Sequence, residues 1–128
     1  MPSDPNRKDP LYHLALRAEW EAAATAGAPY RRSTLGSSLE DVGFIHCSFV
    51  HQVQRIADLV YRGRNDIVLL VVDPARLDSE VRVETLDGGD DRFPHIYGPL
   101  PIDAVVAVEP VPVEADGRLA VASLLGPE

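Results

Sequence analysis

Ile67-Val68-Leu69-Leu70-Val71-Val72 is an unbroken apolar run, half of it β-branched valine, between Asn65-Asp66 and the breaker Asp73-Pro74. A strand with one face in water alternates apolar and polar residues; one that does not alternate is covered on both faces. The run therefore predicts a strand with packed layers on either side. It is also far shorter than the roughly 20 apolar residues of a membrane helix.

Upstream, Val53, Ile56, Ala57 and Val60 recur at i, i+3, i+4 and i+7, the pattern of a helix that Gly63 ends. An earlier helix of about three turns starts at Leu16. Leu16, Trp20, Ala23 and Ala24 fall at helical spacing, and Gly27 is placed for a left-handed C-cap. Residues 11–14 read as a short apolar strand and residues 30–35 as a short strand or extended edge. Residues 36–43 read as a loop with a turn at Ser38-Leu39-Glu40-Asp41, and residues 44–49 as a strand rich in β-formers. Downstream, residues 80–85 alternate, Val81 and Val83 on one face and Glu80, Arg82 and Glu84 on the other. Residues 87–91 form a Gly-rich turn. Residues 93–101 read as a Pro-rich loop unsuited to a regular ladder, a place for a cis X-Pro bond. Residues 102–108 make a last strong strand, and residues 119–125 suit strand or helix. Helices early and strands late define an α+β protein.

The chain has 128 residues, 45% hydrophobic and 25% charged, a globular composition of single-domain length. Residues 1–10 are polar, carry three prolines and lack an apolar signal-peptide core, so we expect a flexible tail followed by one domain over residues 11–128. The net charge of −8 argues against general nucleic-acid or anionic-membrane binding. A lone cysteine, Cys47, excludes an intrachain disulfide, and the expected location is the cytoplasm.

Three of the four histidines lie in strand- or loop-forming segments beside hydroxyl residues: His13 after Tyr12, His46 two residues before Ser48, and His95 two residues before Tyr97. Histidine titrates nearest neutral pH, so three of them in apolar surroundings suggest a shared polar pocket. In a regular strand His46 and Ser48 share a face and Cys47 takes the other. That pairing opens a nucleophilic reading, a small Ser/His hydrolase, although no Gly-x-Ser-x-Gly elbow surrounds Ser48. The bland alternative is that each histidine is a hydrogen-bonded core residue. His-x-His, His-Glu-x-x-His, Cys-x-x-Cys and phosphate-loop patterns are absent, so no metal is expected. Of the strand acids Glu84 is the better catalytic candidate, being nearer the Gly-rich turn; a solvated strand face is the competing reading. Arg31-Arg32 is a local basic pair suited to phosphate.

Leu11-Tyr12-His13-Leu14, Arg32-Ser33-Thr34-Leu35, Asp41 through Ser48 and Phe93-Pro94-His95-Ile96-Tyr97-Gly98-Pro99-Leu100 together closely resemble a bacterial family catalogued as domain of unknown function 952. The resemblance runs from Leu11 to Pro110. It implies a fold similar to the ADP-ribosyltransferase-like architecture, two small bent antiparallel sheets forming a cleft for a nicotinamide dinucleotide. Tyr12-His13 looks like the Tyr-His of the diphtheria-toxin-like and poly-ADP-ribose branches, and Phe44 through Ser48 like the His-containing strand of RNA 2′-phosphotransferases. The chain departs from those patterns in having no Glu-x-Glu, no Ser-Thr-Ser and no evident Arg-His-Arg-Arg set.

On that resemblance the expected ligand is NAD- or ADP-ribose-like. His46, His13 and Glu84 are the catalytic candidates, possible agents of an ADP-ribosyl or related transfer. Arg32, Ser33, Thr34, Ser48, His95 and Tyr97 are the ligand-binding ones. The alternatives are a non-catalytic module for a small metabolite and the Ser/His hydrolase. The expected partner is a small molecule, with no nucleic acid and no membrane; the oligomeric state stays open.

Overall fold

The computed structural model describes residues 9–33, 37–85 and 91–125. The chain runs β1 (Leu11–Leu16), α1 (Arg17–Ala26), α2 (Leu39–Val42), β2 (Ile45–His46), α3 (Val53–Val60), β3 (Ile67–Val72), β4 (Val81–Thr85), β5 (Arg92–Ile96) and β6 (Val105–Pro110). Two three-stranded antiparallel sheets result, one ordered β1-β3-β6 and the other β2-β5-β4. The protein is α+β with two small sheets and few helices.

The apolar run at 67–72 is the central strand of the first sheet, and both of its faces are covered. Val68, Leu70 and Val72 join Leu11, Ala15, Trp20, Tyr30, Ile45 and Ile96 in one core. Ile67 and Leu69 join Leu14, the α3 residues Val53 and Ala57, and Leu119 and Val121 in a second. Burying each such aliphatic side chain stabilises the fold by roughly 1.5–3 kcal/mol. The first sheet is therefore the middle layer of the molecule, with α3 and the C-terminal segment on one side and the second sheet and α1 on the other.

The second sheet divides its residues by row. Ile45, Ile96 and Val81 are register partners across its three strands, and Ile45 and Ile96 are fully buried in the first core. One residue along, His46, His95 and Arg82 are partners and occupy the opposite face. A backbone stitch joins the two sheets: Tyr12 N–H donates to Ser48 O at 2.8 Å and Ser48 N–H to Tyr12 O at 2.7 Å.

Local chemistry explains the element ends. Gly27 caps α1 at φ 67° and its N–H reaches the carbonyls of Ala23 and Ala24. The turn expected at 38–41 is a short helix, α2, held by a capping box between Ser38 and Asp41. Helix α3 stops at Tyr61, before Gly63, which instead donates its N–H to Gly117.

The structure corrects or sharpens several sequence expectations. The stretch at 93–101 is not a loop throughout, since Arg92–Ile96 is the central strand of the second sheet. Pro94 is tolerated because its carbonyl, accepting from Cys47 N–H at 3.0 Å, faces the side where the chain leaves β5 to bridge to β1. The N–H that proline lacks falls on that same side. No cis peptide occurs among the described residues. The strand expected at 44–49 shrinks to Ile45–His46, because Ser48 has changed sheets. Within 30–35 the described residues make only isolated bridges, Tyr30 with Leu100 and Arg32 with Ser38. Finally, 102–108 opens with a 3-10 turn, Ile102–Ala104, before β6, and 119–125 holds a bridge at Leu119 and a 3-10 turn, Ala122–Leu124. Most of the Gly-rich turn at 87–91 lies outside the described residues. No helix among the described residues is long and apolar enough to cross a membrane.

Candidate functional site

His13 stands on the core face of β1, 2% exposed. Its Nδ1–H donates to the carbonyl of His46 at 2.7 Å, and Nε2 accepts from the Tyr30 hydroxyl at 3.1 Å. Both nitrogens are satisfied and the tautomer is fixed. Burial lowers the His13 pKa to about 4, so the ring is neutral at neutral pH. Tyr30 is pushed upward by the same burial and packs edge-on against His13 and tilted against Trp20. The arrangement makes His13 a fixture that positions the backbone of His46.

His46 is held along its backbone on two sides, since its N–H also donates to Ser33 Oγ at 3.1 Å. Its ring is tilted against Phe93 and His95, with centroids 5.0 and 5.3 Å away. No described residue hydrogen-bonds the ring nitrogens. The His46 pKa falls to about 4, first through burial and then through His95 and His13. His46 lines a cavity of about 110 Å³ together with Tyr12, His13 and Leu14 of β1, Ser48, and Ile56, Val60 and Tyr61 of α3 and its end. Ser48 shares the wall with His46 as the i, i+2 spacing predicts, yet no hydrogen bond joins its hydroxyl to the ring among the described residues. The cavity lies where the stitch between the sheets ends.

On the outer side of His46 lies a second group. His95 is fully buried and its Nδ1 is 2.8 Å from Glu84 Oε1. The same oxygen accepts from the Tyr97 hydroxyl at 2.6 Å. Two donors on one carboxylate, Tyr97 first and His95 second, hold Glu84 below the ordinary carboxylate range, and Glu84 in turn raises Tyr97. An ionised Glu84 only accepts, so Nδ1 of His95 carries the proton. Phe44 stacks on the His95 ring at 4.0 Å and 14°, and the Arg82 guanidinium sits 4.5 Å from the Tyr97 ring centroid while bonded to Glu80.

The fold thus brings His13, Ser33, His46, Ser48, Glu84, His95 and Tyr97 into one contiguous region. Arg32 is turned toward Glu19 at 3.5 Å, and Arg31 is paired with Glu40. Arg31 and Arg32 line a separate open depression with Pro29 and Tyr30. Thr34 lies outside the described residues. Cys47 is buried on the core side, opposite His46, where burial raises its thiol pKa. Among the described residues no group of three or more His, Cys, Asp and Glu is gathered as a metal site.

Sequence reasoning missed three contributors. Phe44 was detectable, two residues before His46 on the same strand face. Tyr30 carried no signal beyond its aromaticity. Gln52, buried, accepts from Phe49 N–H at 2.9 Å and donates to Arg92 O at 2.7 Å, tying the start of α3 to β5. That long-range tie leaves no trace in local pattern.

The model of the family described as "Protein of unknown function (DUF952)" matches residues 14–108. Among solved structures, the crystal structure of protein CC0527 from Caulobacter crescentus is 33% identical, with 91% of this chain and 97% of that one covered at a TM-score of 0.78. The solution NMR structure of CC0527 is 35% identical, with 93% and 98% covered and a TM-score of 0.75. No curated protein matches.

Proposed function

The chain belongs to the DUF952 family of proteins of unknown function, and from that premise we propose that it binds an NAD- or ADP-ribose-like ligand at the seam between its sheets, as an enzyme or as a sensor. The observation that carries the reading is the cavity beside His46. At about 110 Å³ it is of the size that takes one planar ring. Its wall is mostly apolar, with His46 and Ser48 among the few polar residues, beside His13, Tyr12 and Tyr61, the usual make-up of a small-molecule site. A neutral His46 offers a donor and an acceptor to a ribose or a carboxamide without charging a buried ring. If transfer occurs, the ionised Glu84, one histidine away, stabilises positive charge developing on the ligand. The proposal keeps the ADP-ribosyltransferase-like resemblance as its frame and gives His13 a positioning role.

Ligand-observed NMR of the protein with NAD, ADP-ribose and nicotinamide tests it. We expect saturation transfer to ribose and adenosine protons, abolished in His46→Ala. Transfer that survives unchanged in a folded His46→Ala removes His46 from the site, and none with any of the three removes the nucleotide reading. A binding module without chemistry is the second reading, favoured because Oε1 of Glu84 is already shared by two donors. It predicts undiminished affinity in Glu84→Gln and no turnover.

A further inference from the structure

Nε2 of His95 is the one fully buried side-chain nitrogen or oxygen among the described residues without a hydrogen-bond partner. Buried polar groups are almost always paired, so the exception calls for a reason. Resting on the ligand reading above, we propose that His95 is the hydrogen-bond acceptor of the site, receiving a hydroxyl or amide N–H of the ligand at Nε2, with Phe44 stacked on a face of its ring.

Three features support this. Glu84 accepts from Nδ1–H and so fixes the tautomer in which Nε2 carries a lone pair and no proton. His46 lines the cavity and its ring packs against His95, so a ligand seated against His46 is within one residue of His95. The group stacked on His95 lies near the surface: Phe44 is only half-buried, and it follows Gly43, the left-handed C-cap of α2 at φ 96°. A lone pair repels phosphate and carboxylate oxygens. It selects neutral donors, which in an ADP-ribose-like ligand are the ribose hydroxyls and in nicotinamide the carboxamide. Glu84 is then a positioning residue.

The test is acylation of imidazole nitrogens by diethyl pyrocarbonate, followed by peptide mass spectrometry with the exposed His51 as internal reference. Removing the half-buried ring stacked on His95 opens a path for the reagent, so Phe44→Ala should speed His95 modification by about tenfold or more. His13, with both nitrogens engaged, stays unreactive. Phe44→Leu, which keeps apolar bulk, gives a smaller rise. ADP-ribose at saturation protects His95. No acceleration in folded Phe44→Ala overturns the proposal, as does ADP-ribose that binds by saturation transfer yet leaves His95 unprotected; the second result leaves the ligand reading standing. If ADP-ribose does not bind, that reading falls, and the acceleration alone decides between a covered acceptor and an inert ring. For Glu84, imidazole nitrogen NMR should show the Nδ1–H tautomer of His95 in the native protein and a mixture in Glu84→Gln. An unchanged tautomer removes the positioning role.

Discussion

Tyr30 and His13 form a closed unit, with hydroxyl to Nε2 and Nδ1–H to a carbonyl. Replacing Tyr30 by Phe keeps the ring that packs on Trp20 and removes only the donor. His13 Nε2 is then a buried acceptor with nothing to accept, a loss of roughly 1–3 kcal/mol. Denaturant unfolding of Tyr30→Phe should show that drop in midpoint with an unchanged slope, and an unshifted midpoint would mean the hydroxyl bond carries no weight. At this scale the sequence marked residues that the fold brings together, but not the contacts each one makes. His13, His46 and His95 stand out by residue type, yet one is saturated by backbone and tyrosine, one faces a cavity, and one is left with a free nitrogen. Those differences depend on contacts from Tyr30, Phe44 and Glu84, each far from its histidine in sequence or disguised as ordinary packing. Arg32 stands apart from the histidines for a simpler reason: Glu19 comes within reach once α1 has formed.

Periodicity made β3 and the helices α1 and α3 legible, because burial of a continuous run or of one helical face is a local property. It did not reveal β5. A segment with Pro94 and Pro99 reads as loop unless it is known which neighbour each peptide faces, and that is decided by the departure of the chain after His46 toward β1. The end of β5 offers an element-scale prediction. A Cβ on Gly98 would lie 1.9 Å from Ser79 Oγ and 2.7 Å from Ser79 Cβ. Gly98→Ala should therefore cost roughly 1–3 kcal/mol, the usual range for overpacking. Thermal unfolding should show it, with most of the loss recovered in Gly98→Ala combined with Ser79→Gly. A single variant as stable as the native chain would show that the turn shifts freely, and Tyr97 with it.

For the whole molecule, two histidines buried neutral set the response to acid. His13 and His46 have folded pKa values near 4, below the 6.5 of the free side chain. Between those values the unfolded chain binds more protons than the folded one. Stability is thus complete above about pH 6.5 and falls as the pH drops toward 4. Each histidine accounts for roughly 2 kcal/mol between pH 7.5 and 5. Urea unfolding at the two values should show the sum, and His46→Ala about half of it. A flat profile would contradict the burial of both rings.

The registers carry one more consequence. In the first sheet Leu11 meets Val72, and in the second His46 meets His95; only β4 and β5 are neighbours along the chain. Loop-closure entropy favours the nearer pair, so the hairpin bearing Glu84, His95 and Tyr97 is the part that can form early, and the slow step is the capture of distant strands. The two halves of the site therefore have different histories: the acid and its histidine come from a local fragment, whereas His46 and His13 reach it only when the rest of the chain closes.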